Sequence, residues 1–522
     1  MTREKIKVFD TTLRDGEQAS GFHMYPEQKL DIARALEGMG VDIIEAGNPI
    51  SSPGDYKAVR TICENVSRPV IAGLARCVYE DIEAAGRALK PSIDRGKGRI
   101  HVYIATSNLH TDKKLKKSRD EISDMVSKSV CYAKRFTDDV QFSPEDYTRS
   151  DPSYTAEIIC RAIEAGASTI NLPDTVGYLI PFETRHKVRD TIESVNKKIT
   201  KGVTFSIHCH NDLGNATANT IAGILGGARQ IEVAMNGIGE RAGNAALEEV
   251  VANIKERPDF FQKEVGNEFY TSIDTTKINS VSQKVSKFTG RHPQINKSIV
   301  GDNAFSHEAG VHQDGMMKDK KTYEWISPED YGATSKLTFG PRSGRRGLAE
   351  AYRRMGLSFE KGEFDAIAER FVNISDGEKV IDHYHLAKAI TGVEMVPRYQ
   401  LISSKTWSDD DFGYAIITIG SENNRFTKKS SGSGMIDASV KAVNLITNLG
   451  TSIIDYKTES VNPGSDSKGM VSIMVGRDAF SARGYGLDSD VVRGSTKAYV
   501  DGVNKISYVL DTVKRWQEYL IF

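Results

Sequence analysis

The chain is poor in cysteine: five in 522 residues (Cys63, Cys77, Cys131, Cys160 and Cys209), none spaced C-x-x-C. An odd, scattered set of thiols argues against a disulfide framework or a zinc ribbon and fits a reducing compartment. An excess of one charge is also missing, since 69 Lys and Arg face 70 Asp and Glu. That balance leaves no global field to hold a nucleic-acid backbone or an anionic membrane surface. No apolar run approaches the ~18 residues that a membrane helix needs. The first residues lead directly into the strand-like Val8-Phe9 without an apolar leader, so secretion is not expected. The expectation is a soluble, cytoplasmic protein of about three domains at roughly 150 residues each.

What is present is a rhythm. Short β-branched runs alternate with longer amphipathic stretches through the first half of the chain. Predicted strands are Lys7–Asp10, Ile43–Ala46, Val70–Leu74, Ile100–Ala105, Val140–Ser143, Thr169–Leu172, Phe205–His208 and Ile231–Ala234. Predicted helices such as Glu27–Met39, Ser153–Ala165 and Ala216–Gly226 carry apolar residues near the 3.6 period and stop near glycines such as Gly38 and Gly166. Eight βα units are the count of a closed parallel (β/α)8 barrel, with an open doubly wound sheet as its rival. The barrel is preferred because polar motifs follow many different strands and no Rossmann fingerprint follows the first. We assign residues 1–270 to the barrel, 271–394 to a helical linker without strand alternation, and 395–522 to an α+β domain. In that last domain Gly432/Gly434 and Gly484/Gly486 precede similar segments about 52 residues apart. This repeat suggests two related modules about a pseudo-twofold axis.

Four motifs carry chemistry. His208-Cys-His210 ends the seventh strand, where residues i and i+2 share a face and can present two imidazoles to one metal ion. Arg14-Asp15 follows the first strand at the same mouth, making Asp15 the natural third ligand, although an Arg–Asp surface pair is common. Asn236-Gly-Ile-Gly-Glu240-Arg-Ala-Gly-Asn244 follows the eighth strand and is not a dinucleotide loop; Glu240 and Asn244 are expected to point inward. Thr175 after the sixth strand suits either a bond to a substrate carboxylate or a helix cap. Lys113–Lys117 reads as a solvated helix start, Arg95–Arg99 as an exposed turn, and Cys209 as packed away from the cavity.

In this order, D-T-T-L-R-D-G-E-Q, L-P-D-T-V-G, H-C-H-N-D and N-G-I-G-E-R-A-G-N resemble the acyltransferase branch of the DRE-TIM metallolyases, the alpha-isopropylmalate synthase and homocitrate synthase family. The resemblance spans the barrel, the linker motif His307–Gly315 and the C-terminal pair of modules. It implies divalent-metal ligands at Asp15, His208, His210 and Asn244, with Mn²⁺ or Mg²⁺ favoured and Zn²⁺ open. It implies that Arg14 polarises the carbonyl of a 2-oxo acid, that Thr175 holds the acid's carboxylate, and that Glu145 is a site glutamate. His312 is implied as general base, reaching the barrel from the partner subunit of a homodimer, with Tyr323 beside it. One departure is Gly340-Pro-Arg342-Ser-Gly-Arg345, where bacterial relatives carry G-K-H-S-G-R.

The implied reaction joins acetyl-CoA to a 2-oxo acid, and water then cleaves the thioester. His101 and Ser143 fall where the resemblance places the acid's side chain, and a small serine leaves room for an isopropyl group. This favours 2-oxoisovalerate, giving 2-isopropylmalate on the route to leucine, over the pyruvate of citramalate synthases. Leucine is the implied effector of the C-terminal domain, with backbone opened at Gly432, Gly434, Gly484 and Gly486. The alternatives are an acyl-CoA lyase, which needs neither the linker arm nor the sensor, and a non-catalytic metal-binding barrel. Neither nucleic acid nor membrane is an expected partner.

Overall fold

In the computed structural model, eight parallel strands close into a barrel. They are β1 (Lys7–Asp10), β2 (Ile43–Gly47), β3 (Val70–Arg76), β4 (Gly98–Ala105), β5 (Asp139–Glu145), β6 (Thr169–Asp174), β7 (Thr204–Cys209) and β8 (Gln230–Val233). Pairing of β1 with both β2 and β8 closes the ring and removes the open-sheet alternative. The structure describes residues 3–337, 339–340, 342–378, 380–422, 424–461 and 468–519. A helix follows each strand: α1 (Pro26–Met39), α2 (Pro53–Asn65), α3 (Tyr79–Ile93), α4 (Arg119–Ala133), α5 (Pro152–Glu164), α6 (Pro181–Asn196), α7 (Ala216–Leu225) and α8 (Leu247–Glu256). Ser52 and Asp151 cap α2 and α5, their side chains accepting the backbone N–H of Asp55 and Tyr154. The stop of α1 is Gly40, left-handed at φ 94°, rather than Gly38, which is still helical.

Along each strand alternate residues face opposite ways, which separates two chemistries. Outward residues such as Ile100, Val102, Val140, Phe142, Ile170 and Leu172 pack against the helices in one continuous apolar core. Toward the lumen Phe9, Ile43 and Ala72 form an apolar floor, and Leu74 and Pro173 add apolar surface higher up. The other buried inward positions are polar, among them Glu45, Arg99, His101, Gln141, Ser143, Asn171, Ser206, Gln230 and Glu232. Barrel interiors are ordinarily filled by branched aliphatics, so this polar column marks the lumen as functional. Arg99 belongs to it, paired with Asp139 at 3.0 Å, and is not part of an exposed turn.

Contacts divide the chain into two compact units, Met1–Phe305 with Ile326–Ser335, and Ser306–Trp325 with Lys336–Phe522. Residues 271–394 are therefore shared between units, and they contain a short parallel pair, Ser306–His307 with Lys336–Leu337, where no strand was expected. Among the described residues no helix is long and apolar enough to cross a membrane.

The second unit holds the helices α9 (Arg345–Arg354), α10 (Lys361–Ser375) and α11 (His383–Thr391). Two antiparallel sheets follow, each with a helix. The first is β9 (Tyr399–Ser408), β10 (Gly413–Ser421) and β11 (Asn424–Gly432), then α12 (Met435–Thr447). The second is β12 (Ser452–Ser460), β13 (Gly469–Arg477) and β14 (Phe480–Asp488), then α13 (Val491–Tyr519). The starts of β10 and β13, of β11 and β14, and of α12 and α13 each lie 56 residues apart. Both first strands are irregular in register at an isoleucine, Ile402 and Ile454.

That repeat corrects the glycine equivalence expected from sequence. Gly432 ends its strand opposite Gly413, and its counterpart, opposite Gly469, is Asp488. Gly484 and Gly486 lie inside β14, where a Cβ would strike the backbone of α13 at Ala498 and Gly494. Their bareness lets a helix lie close on a strand. Gly434 begins α12, and the matching Asp490 accepts the N–H groups of Val492 and Arg493.

Candidate active site

The C-terminal mouth of the barrel gathers the motifs that the sequence scattered. Asp15 lies just beyond β1, His208 in β7, His210 one residue after it, and Asn244 in the loop after β8, pinned to His210 by a backbone bridge. The ligand-competent atoms of Asp15, His208 and His210 all fall within 4.8 Å of one another, and all three residues are buried. His208 Nε2 faces His210 Nε2 at 3.2 Å, and the two lie 3.6 and 3.9 Å from Asp15 Oδ2. Asn244 Nδ2 donates to Asp15 Oδ1 at 3.2 Å and to the Ile238 carbonyl, while its own Oδ1 is buried with no partner. Two facing imidazole nitrogens, a carboxylate and an orphaned amide oxygen form a mixed N/O donor set that fits a divalent cation.

Burial favours the neutral forms of these groups, and charge decides otherwise for the acids. Burial opposes ionisation of Asp15, yet the Arg14 guanidinium and the two imidazoles hold its carboxyl well below the usual range. Burial, with His208 adding to it, lowers His210 to about 4, leaving a neutral ring that can offer a lone pair at pH 7. Arg14 is gripped in a fork: Nε donates to Glu45 Oε2 at 2.6 Å and Nη1 to Asp15 Oδ2 at 2.7 Å. Glu45 is fully buried, but Arg14 and His101 outweigh that burial and bring it to about 2.

A cavity of about 190 Å³ opens above this cluster. His101 and Ser143 meet in its wall, Nε2 to Oγ at 2.6 Å, and Asn171 Nδ2 donates to the same hydroxyl at 2.9 Å. Leu74 and Pro173 give the wall its apolar surface. Thr175 lines the cavity with its hydroxyl oxygen accepting the Asp146 N–H at 2.9 Å. It caps nothing, because α6 begins at Pro181 after Ile180. Glu145 also lines the cavity and accepts from Lys114 Nζ at 2.7 Å. The lysine-rich stretch is solvated as expected, with Lys113, Lys114 and Lys116 exposed, and Thr111–Leu115 forms a turn of π-helix from which Lys114 reaches Glu145. Glu240 is at the rim beside Arg241, which clasps Asp212 at 2.7 and 3.0 Å. Cys209 is fully buried, and burial pushes its thiol up, as expected of a packed residue.

His312 and Tyr323 belong to the second unit, where their rings stack at 4.1 Å. Gly340 and Arg342 flank Pro341, which lies outside the described residues. Sequence reasoning missed Glu45, Asn171 and Glu232. The sequence signal was the lone acid in each strand, Glu45 in Ile43-Ile-Glu45-Ala and Glu232 in Gln230-Ile-Glu232-Val, but which way it faces is set only when the ring closes.

Residues 5–285 match the HMGL-like family, 299–379 the homocitrate synthase post-HMGL domain-like family, and 365–507 the LeuA allosteric (dimerisation) domain. A 2-isopropylmalate synthase of Methylococcus capsulatus is 42% identical over 509 residues, covering 96% of this chain and 97% of that one. The corresponding protein of Aquifex aeolicus is 41% identical over 508 residues, covering 96% of each.

Proposed function

Because the chain belongs to the 2-isopropylmalate synthase family, we propose that it condenses acetyl-CoA with 2-oxoisovalerate and water to give 2-isopropylmalate and coenzyme A. The observation that carries the reading is the convergence of Asp15, His208, His210 and the unpaired Asn244 oxygen beside a fixed guanidinium, under a cavity with a small, partly apolar wall. A divalent cation, Mn²⁺ or Mg²⁺, would be held by those four residues and would supply Lewis acidity toward the oxo acid when bound.

The chain's own groups do the rest. Arg14, immobilised by Glu45 and Asp15, presents a positive donor to the carbonyl oxygen of the oxo acid as negative charge develops there. The Thr175 hydroxyl oxygen already accepts from Asp146, so its proton is free to be aimed at the acid's carboxylate. Ser143, held by His101 and Asn171, leaves space beside Leu74 for a branched alkyl group. His312 removes a proton from the acetyl methyl, and the electrons released form the new C–C bond at the keto carbon. The carbonyl oxygen takes up a proton, and water cleaves the thioester to release the thiol. Glu145, tied to Lys114, sits at the mouth where the thioester enters. The stacking of His312 on Tyr323 supports their acting as a pair. The dimerisation-domain match supports the homodimer and leucine as feedback inhibitor.

The test is thiol release from acetyl-CoA with 2-oxoisovalerate, pyruvate and 2-oxoglutarate in parallel, with and without a chelator and millimolar leucine. Chelator-sensitive turnover with a clear preference for 2-oxoisovalerate is expected. A preference for pyruvate would overturn the substrate assignment, and leucine-insensitive rates would remove the regulatory one.

A further inference from the structure

We propose that Glu232 is a positioning residue for the metal site: it receives the Nδ1–H of His208 and so turns the lone pair of Nε2 toward Asp15 and His210. This rests on the metal reading above. β7 and β8 place His208 and Glu232 directly side by side in register, both side chains in the lumen. His208 Nδ1 and Glu232 Oε2 are 3.3 Å apart, and each is buried without another partner. A neutral imidazole has one N–H and one lone pair, so a carboxylate at Nδ1 sets which nitrogen is left to bind a cation.

Glu232 is itself fixed. Its Oε1 accepts from Gln141 Nε2 at 2.7 Å and from Ser206 Oγ at 3.2 Å. Gln141 is held in turn by Arg99 Nη1 at 3.0 Å and Gln230 Nε2 at 2.9 Å on its Oε1. The chain from Arg99 to His208 thus fills the lumen below the metal site and leaves Glu232 a single open oxygen, aimed at the ring. His210 has no such carboxylate, and its Nδ1 is buried and unpaired.

The experiment titrates Mn²⁺ into the metal-free full-length protein and follows free Mn²⁺ by electron paramagnetic resonance. Glu232→Gln, which preserves shape and the neighbouring amides, is expected to weaken Mn²⁺ binding about 10- to 100-fold. Glu232→Asp, which keeps the charge, is expected to bind between that variant and the wild type. Asp15→Ala is run alongside and should abolish binding. If Asp15→Ala binds as tightly as the wild type, the metal reading itself is wrong. If Asp15→Ala loses the ion while Glu232→Gln binds it normally, only the positioning role is lost; a purely structural Glu232 would lower the melting temperature and leave the affinity alone. A measurement independent of variant folding is the ¹⁵N spectrum of labelled histidine in the wild type, with His208 identified by its loss in His208→Gln. The Nδ1–H tautomer is expected, and the Nε2–H tautomer would overturn the proposal.

Discussion

In the second unit Ile417, Val443, Ile473, Val475, Val503 and Ile506 are fully buried and belong to one apolar core. The barrel lumen buries Glu45, Gln141, Ser206, Gln230 and Glu232 just as completely, at 1% exposure or less. The first interior gains stability from area removed from water, about 25 cal/mol per Å². The second takes polar groups out of water and recovers that cost only because nearly every one finds a partner. Of the buried atoms left without a hydrogen-bond partner, those at His208, His210, Asn244 and Glu232 surround the proposed cation site, while Asn171 Oδ1 and Arg99 Nε lie elsewhere in the lumen. An apolar core tolerates loss of an atom as a cavity; a polar column tolerates little, since each removal strands the group it was bonded to.

The largest expected effect breaks the polar side of this contrast. Asp15→Ala should lower turnover by about a thousandfold, as several kcal/mol of Lewis-acid stabilisation disappears, and should also lower the melting temperature because Arg14 and Asn244 lose a buried partner; thiol release and calorimetry check it. The matching test on the apolar side is Ile473→Ala. It should cost about 2–5 kcal/mol of unfolding free energy in urea titrations while leaving leucine-free turnover of the folded enzyme intact.

Asp10, buried at the end of β1 on the face opposite Phe9, probes buried charge through pH. Burial raises its carboxyl to about 7, although Thr12 bonds oppose the shift. The folded state therefore holds a proton that the unfolded state has released above its ordinary value of 3.8. Stability from this group is full below that value and falls as pH rises toward 7. Asp10→Asn should remove the fall, gaining up to about 4 kcal/mol on the wild type between pH 4 and pH 7, read from urea midpoints. A variant that tracks the wild type across that range would contradict the assignment. The smallest effect concerns selectivity: Ser143→Leu should fill the side-chain wall and shift the ratio of kcat/KM values toward pyruvate by about 10- to 200-fold.

Much of this was legible in the residues. The eight strand positions emerged from alternation and β-branching, and the ends differ from the structure by only a few residues at most. His208 and His210 were readable as a same-face pair because strand geometry alone sets the i, i+2 relation. Glu45 and Glu232 were not seen, because each lies in a strand whose neighbours are apolar and whose inward face is unknown until the ring closes. The glycine repeat misled for a related reason. Spacing in the chain aligned Gly432 with Gly484, but hydrogen-bond register aligns it with Asp488.

Local periodicity, the order of the motifs and the family were thus written in the sequence, since covalent geometry and hydrophobic pattern act over a few residues at a time. Tertiary structure alone decided which groups meet. Asn244 reaches Asp15 across 229 residues of chain, and Gln141 reaches Glu232 across 91, only because the barrel closes. Such contacts depend on the stagger and tilt of eight strands taken together, a property that no single segment carries.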